Sequence, residues 1–195
     1  VDPLYTLDLS NATDPRIAGE LEIPGFSSVL QPLGDGLLLG VGYDVPVGRA
    51  ALRGVKVALF DVSNLEQPIE LSSQVIGERG SQSPAPDDYH ALSLLQTNSV
   101  YRLALPVQRH DIPGSNFPSD PFAYYDWTDS ALYEFSVEAA TGTLTQVGRL
   151  VSADHSAQVP YSVRSLAQSR AFIHDDAVYW YVFNEEEILS GVWGE

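Results

Sequence analysis

An all-β fold made of short antiparallel strands in four-strand modules is predicted by three observations. Three stretches, "LYTLDLS" (4–10), "VALFDVS" (57–63) and "LYEFSV" (132–137), match in register, with an apolar residue at every second position. Three others, "SSVLQPLGDGLLLGVG" (27–42), "HALSLLQTNSVYRLALPV" (90–107) and "RAFIHDDAVYWYVF" (170–183), each place two apolar runs around a short polar turn. Finally, the two kinds of segment recur in fixed order, and no stretch sustains a helical period.

In the first kind, Tyr5, Leu7 and Leu9 align with Ala58, Phe60 and Val62, and with Tyr133, Phe135 and Val137. The period of two is that of a strand with one buried face. After the first two copies come "SNATDP" and "SNLEQP", then the alternating runs "RIAGELEI" (16–23) and "IELSSQVI" (69–76). The third copy turns at "EAATG" and continues as "TLTQVGRLV" (143–151). Pro15 and Pro68 stand just before a strand, where a missing N–H does little harm. In the second kind, Asp35, Asn98 and Asp175 hold the same place in the turn. Asp and Asn tolerate left-handed backbone angles, as tight hairpins require. Gly34-Asp35-Gly36 is therefore a hairpin reversal; no helix follows it, so it is not a phosphate cradle.

Naming the hairpin strands A and B and the following pair C and D, the chain reads C-D, A-B-C-D, A-B-C-D, A-B. Repetition of a four-strand module points to propeller blades. The expectation is an all-β partial β-propeller of about three four-stranded antiparallel blades, beginning and ending mid-blade. The expected segments are a blade remnant at 1–26, a blade at 27–80, a blade at 87–153 with an inserted loop at 107–130, and a remnant at 160–195. Residues 184–192 are expected to form a helical turn or a last strand. Unpaired strand edges are templates for association, so self-association through open blade edges is expected.

The stretches 4–42, 55–80 and 87–95 resemble the secreted bacterial and archaeal proteins that carry a C-terminal β-propeller distantly related to WD-type repeats. "IPGFSSVLQPLGDGLLLGVG" and "VIGERG" are the most specific pieces of the match. The resemblance implies a propeller segment of a larger secreted or envelope-anchored protein. It carries over no activity.

Ten basic residues face 26 acidic ones, a net charge of −16. That balance repels phosphate backbones and anionic lipid, which argues against nucleic acid and membrane partners. No apolar run approaches the roughly 20 residues needed to cross a bilayer. The absence of cysteine excludes disulfides, zinc–thiolate sites and cysteine nucleophiles.

All four histidines have acidic neighbours in sequence: His90 near Asp87 and Asp88, His110 by Asp111, His155 by Asp154, His174 by Asp175 and Asp176. Such pairs suit metal ligation or general-base chemistry, but their positions in the repeat differ and no HExxH spacing occurs. His90, expected to begin an innermost strand, is the best single candidate. Asp8 and Asp61 hold matching places, each two residues before a serine; the alternatives are a calcium site and a turn shaped by Asp and Ser bonding to backbone N–H groups. Phe117, Phe122, Tyr124, Tyr125 and Trp127 gather beside Asp120, Asp126 and Asp129 in the 109–130 segment. Aromatic faces beside carboxylates suit sugar stacking or capture of a cationic group. Arg79, between two glycines in "GERG", is expected either to pair structurally with a neighbouring acid or to grip the carboxylate of a ligand. The expected function is a non-catalytic binding or scaffold module for protein or glycan, with Phe122, Tyr124, Tyr125, Asp126, Trp127 and His90 as candidate contacts. The competing class is a carboxylate- or metal-dependent hydrolase working in the channel.

Overall fold

A computed structural model describes residues 3–46, 48, 51–114, 120, 122–156, 166–183 and 186–195. Among the described residues, thirteen strands form four antiparallel sheets, each a meander in chain order. The first sheet pairs β1 (Leu4–Asp8) with β2 (Arg16–Leu21). The second runs β3 (Phe26–Gly34), β4 (Leu37–Tyr43), β5 (Val55–Asp61), β6 (Ile69–Ile76). The third runs β7 (Ser93–Thr97), β8 (Val100–Ile112), β9 (Asp126–Glu138), β10 (Thr143–Asp154). The last holds β11 (Arg170–His174), β12 (Ala177–Val182) and β13 (Glu187–Val192), so residues 187–192 of the segment expected to be a helical turn or a strand are strand.

The sheets stack in chain order through apolar faces. Leu39 and Val41 of β4 and Val55, Val57 and Leu59 of β5 meet Leu103, Leu105, Tyr133, Phe135 and Val137 of the third sheet. On its other face, β5 turns Ala58 and Phe60 toward Leu4 and Leu21 of the first sheet and Ile23 just after it. Ala104 and Leu132 of the third sheet pack against Ile173, Val178 and Trp180 of the fourth. The two middle sheets are thus covered on both faces, as blades are, and the four sheets do not close into a ring. Truncating a fully buried anchor such as Phe60 to alanine costs about 3–5 kcal/mol by the general behaviour of cores.

Asp35, Asn98 and Asp175 adopt φ of 50°, 57° and 50° at the three hairpin reversals, as their residue types require. Gly36 (φ +78°) has a second constraint: a Cβ there would lie 2.7 Å from the Ser63 Cα. Tyr101 OH donates to the Leu33 carbonyl and ties the reversal ends of the middle sheets. Because the strands alternate, the β4–β5, β6–β7, β8–β9 and β10–β11 connections all emerge at the opposite end.

Two elements differ from expectation. The segment 107–130 is strand at both ends: β8 runs on to Ile112 and β9 starts at Asp126, with 113–125 between them. Apolar alternation through Val107 and through Trp127, Ala131 and Tyr133 continues the ladder, with irregularities at Arg109/His110 and His110/Ile112 bending its end. His90 lies in a 3₁₀ turn, Tyr89–Ala91, rather than in β7, because the Asp88 side chain caps that turn by accepting the His90 N–H.

Candidate ligand-binding site

At the connector end, the long β8–β9 hairpin meets the β6–β7 connection, and two features form there. The first is a network of charges. Asp129 faces Arg109 across the β8–β9 ladder, and Arg149 of β10 stands opposite Tyr133 on the same face. The Asp129 carboxylate is buried. Its Oδ2 accepts from Arg109 Nε (2.9 Å) and Nη2 (2.6 Å) and from Arg149 Nη1 (2.9 Å), while Oδ1 accepts from Tyr133 OH (3.1 Å). Arg109 Nη1 also reaches Asp111 at 3.0 Å. Burial, with the Asp129 charge beside it, pushes the Tyr133 phenol up to about 12. Burial opposes the charge on Arg109, but the Asp129 hydrogen bonds, helped by Tyr133 and Asp111, outweigh it and raise its pKa.

The seam between the second and third sheets opens there into a cleft of about 450 Å³, lined by Arg53, Glu78, Arg109, Asp111, Gln146 and Arg149 among others. Arg53 approaches Asp44 through Nε at 3.3 Å, and Arg149 binds Asp129 through Nη1. Both side chains are about two-fifths exposed. Three of the chain's ten basic residues meet in this cleft, although the chain carries a net charge of −16.

The second feature is aromatic. The Arg79 guanidinium lies 4.6 Å from the Tyr124 ring centre and 5.9 Å from that of Phe122. The Tyr125 N–H donates to the Arg79 carbonyl, and His110 Nδ1–H donates to the Tyr125 carbonyl at 2.7 Å. Arg79 Nη1 is buried with no hydrogen-bond partner among the described residues, so the ring faces supply its stabilisation. The cation these aromatics hold is therefore the chain's own. Tyr124 and Phe122 remain 66% and 54% exposed. Glu78 of the cleft and Arg79 of the stack are consecutive residues, so the two features adjoin.

The sequence candidates divide accordingly. Phe122 and Tyr124 come together on Arg79, Tyr125 is half-buried and anchors the connection through its backbone, and Asp126 is exposed at the start of β9. Trp127 is 3% exposed and donates from Nε1 to Ser130 Oγ (3.2 Å), so its ring cannot meet a ligand. Its place in β9 turns it inward. Phe117 lies outside the described residues. Asp120 accepts the Phe122 N–H and shapes a turn.

The histidines do not converge. His90 pairs with Asp88 (3.0 Å), whose other oxygen takes Arg170 (2.6 Å); His155 donates to the Trp127 carbonyl; His174 approaches Asp175. Asp88 also lines a cavity of about 340 Å³ with Gln82, Ser83, Asp87, Gln108 and Gln168. Among the described residues no three His, Asp or Glu side chains stand close enough to share a metal ion. Asp8 and Asp61 each accept the N–H of the serine two residues on, at 2.9 and 2.8 Å. Those bonds, with Arg16 beside Asp8, lower the Asp8 carboxyl to about 2. Sequence reasoning noted Asp129 only as an acid beside the aromatics and missed Arg109, Arg149 and Arg53; the strand register that joins them includes bulges that residue spacing does not announce.

Sheets that stack in chain order, with connections gathered at one end, define a protein of the propeller class. The chain belongs to the beta propeller domain family, whose model matches residues 1–189. It is similar to an uncharacterized protein of the archaeon Methanocaldococcus jannaschii, 40% identical over 109 residues, which is 56% of this chain and 16% of that protein. It is also similar to an uncharacterized protein of Archaeoglobus fulgidus, 37% identical over 102 residues, 52% of this chain and 15% of that protein. The matches span about one-sixth of those relatives' length. No helix among the described residues is long and apolar enough to cross a membrane.

Proposed function

We propose that this domain is a non-catalytic, extracytoplasmic binding module whose connector end takes an acidic glycan. One observation carries the reading: an exposed aromatic pair, fixed on a buried part of Arg79, adjoins a cleft lined by the partly exposed side chains of Arg53 and Arg149. A sugar ring has an apolar face that stacks on an aromatic side chain. A uronic or sialic carboxylate matches the fork of an arginine. Asp129 holds Arg109 and Arg149 in place before a ligand arrives, which reduces the ordering cost of binding. The extracytoplasmic setting rests on the resemblance carried by residues 23–42 and 75–80.

The test is a glycan array followed by calorimetric titration of the best acidic oligosaccharide. Binding is expected to weaken about tenfold for Tyr124→Ala and for Arg149→Gln, a loss of about 1.4 kcal/mol each. Trp127→Phe, inside the fold, should leave affinity unchanged. If no acidic glycan binds, or if neither substitution changes affinity, the reading fails. Cleavage of the array glycans would instead favour the hydrolase alternative.

A further inference from the structure

The repeat register assigns a direction to each sheet. Ala58 and Phe60 of β5 point back toward the preceding sheet, and their counterparts Tyr133, Phe135 and Val137 of β9 do the same. All five are buried. The matching residues at the start of the chain, Tyr5 and Leu7 of β1 and Leu9 just after it, are 49%, 53% and 64% exposed, and Ile17, paired with Leu7, is 63% exposed. The same holds at the other end of the stack. Leu39 and Val41 of β4 point forward onto the third sheet, and the hairpin alignment places Tyr179 and Tyr181 of β12 in their positions. That forward face also carries Phe172, stacked on Tyr179 at 4.7 Å, and Ile188, both largely exposed.

One end of the stack therefore presents a bare backward face and the other a bare forward face. These are the two kinds of surface that already meet three times within the chain. The exposed apolar area lies on sheet faces, whereas the association expected from the sequence was through strand edges. We infer that a second copy of this chain docks head to tail, the β11–β13 face of one copy covering the β1–β2 face of the other. The contact continues the front-to-back stacking seen inside the chain. It is heterologous, so two copies close the ring only if both such contacts form. Two copies carry eight of the described sheets, within the range of about four to eight blades that propellers use.

Light scattering and sedimentation of the purified chain across a concentration series test this. The expected result is a dimer that Leu7→Arg and Ile188→Arg each weaken at least about tenfold, because an unpaired charge is costly in an apolar seam. Both positions are exposed, and circular dichroism checks that each variant is folded; Ile17→Arg and Phe172→Arg serve as second choices. Mixing the two variants is the decisive arm. In a head-to-tail dimer, the Leu7→Arg copy keeps a sound forward face and the Ile188→Arg copy a sound backward face, so one intact contact reforms and a heterodimer appears. In a dimer joining like faces, only one of the two substitutions weakens association, and mixing forms no heterodimer because every contact between the two variants carries an arginine. A monomer at all concentrations, a dimer insensitive to both substitutions, or a failure of mixing to restore association overturns the inference. None of these readouts depends on glycan binding.

Discussion

Asp129 is the residue on which the connector end turns. A carboxylate removed from water is stabilised only when partners replace its hydration, and here two guanidiniums and a phenol do so. Its removal would leave Arg109 partly buried with Asp111 alone, and Arg149 without its anchor. Breaking such a pair from one side costs about 3–5 kcal/mol in general. Exposure of both arginines places Asp129→Ala at the lower end, about 3 kcal/mol, in urea denaturation. Arg149→Gln, at the wetter member, should cost less than about 1 kcal/mol. Equal losses for the two variants would show that the carboxylate is not the organising group.

Between elements, Glu134 has a comparable position with the opposite balance. It lies buried on the β9 face that meets the fourth sheet, and its Oε2 accepts the Gly194 N–H at 2.8 Å. Burial raises its pKa, and that single hydrogen bond only partly offsets the rise. A carboxyl with a raised folded pKa favours the native state fully below its ordinary value of 4.5, and the benefit is lost as pH rises through the folded value. Glutamine keeps the acceptor for Gly194 and carries no charge. Glu134→Gln is therefore expected to match the parent in Tm at pH 4 and to exceed it at pH 7. An equal difference at both pH values would remove the ionisation argument. The strands around Glu134 were legible in the sequence because period-two alternation and Asp or Asn at left-handed turns are local signals. Trp127 was misplaced for a related reason: aromatic density in a Pro- and Asp-rich stretch reads as loop, yet Trp127, Asp129 and Ala131 share one strand face. Arg79 over Tyr124 and Arg149 on Asp129 join residues 45 and 20 positions apart, and no local pattern encodes such meetings.

Across the whole molecule, stability should follow how many faces of each sheet are covered. The second and third sheets are buried on both sides, with the largest apolar cluster between them. The first sheet has two strands and meets its neighbour through a small cluster around Ile23, Ala58 and Phe60. Local opening requires loss only of the contacts an element makes, so thinly packed elements exchange amide hydrogens through lower-energy openings. In dilute protein, hydrogen exchange should therefore be slowest in β4, β5, β8 and β9, and fastest among paired strands in β1 and β2. Covering the bare faces changes this ranking in one way only. At concentrations where the head-to-tail dimer forms, protection should rise in β1–β2 and β11–β13 while the middle sheets stay as they were, because docking buries the end faces and touches no others. Uniform protection across the four sheets in dilute protein would show that they open as one unit, and would deny the end sheets the independence this order of stability assigns them.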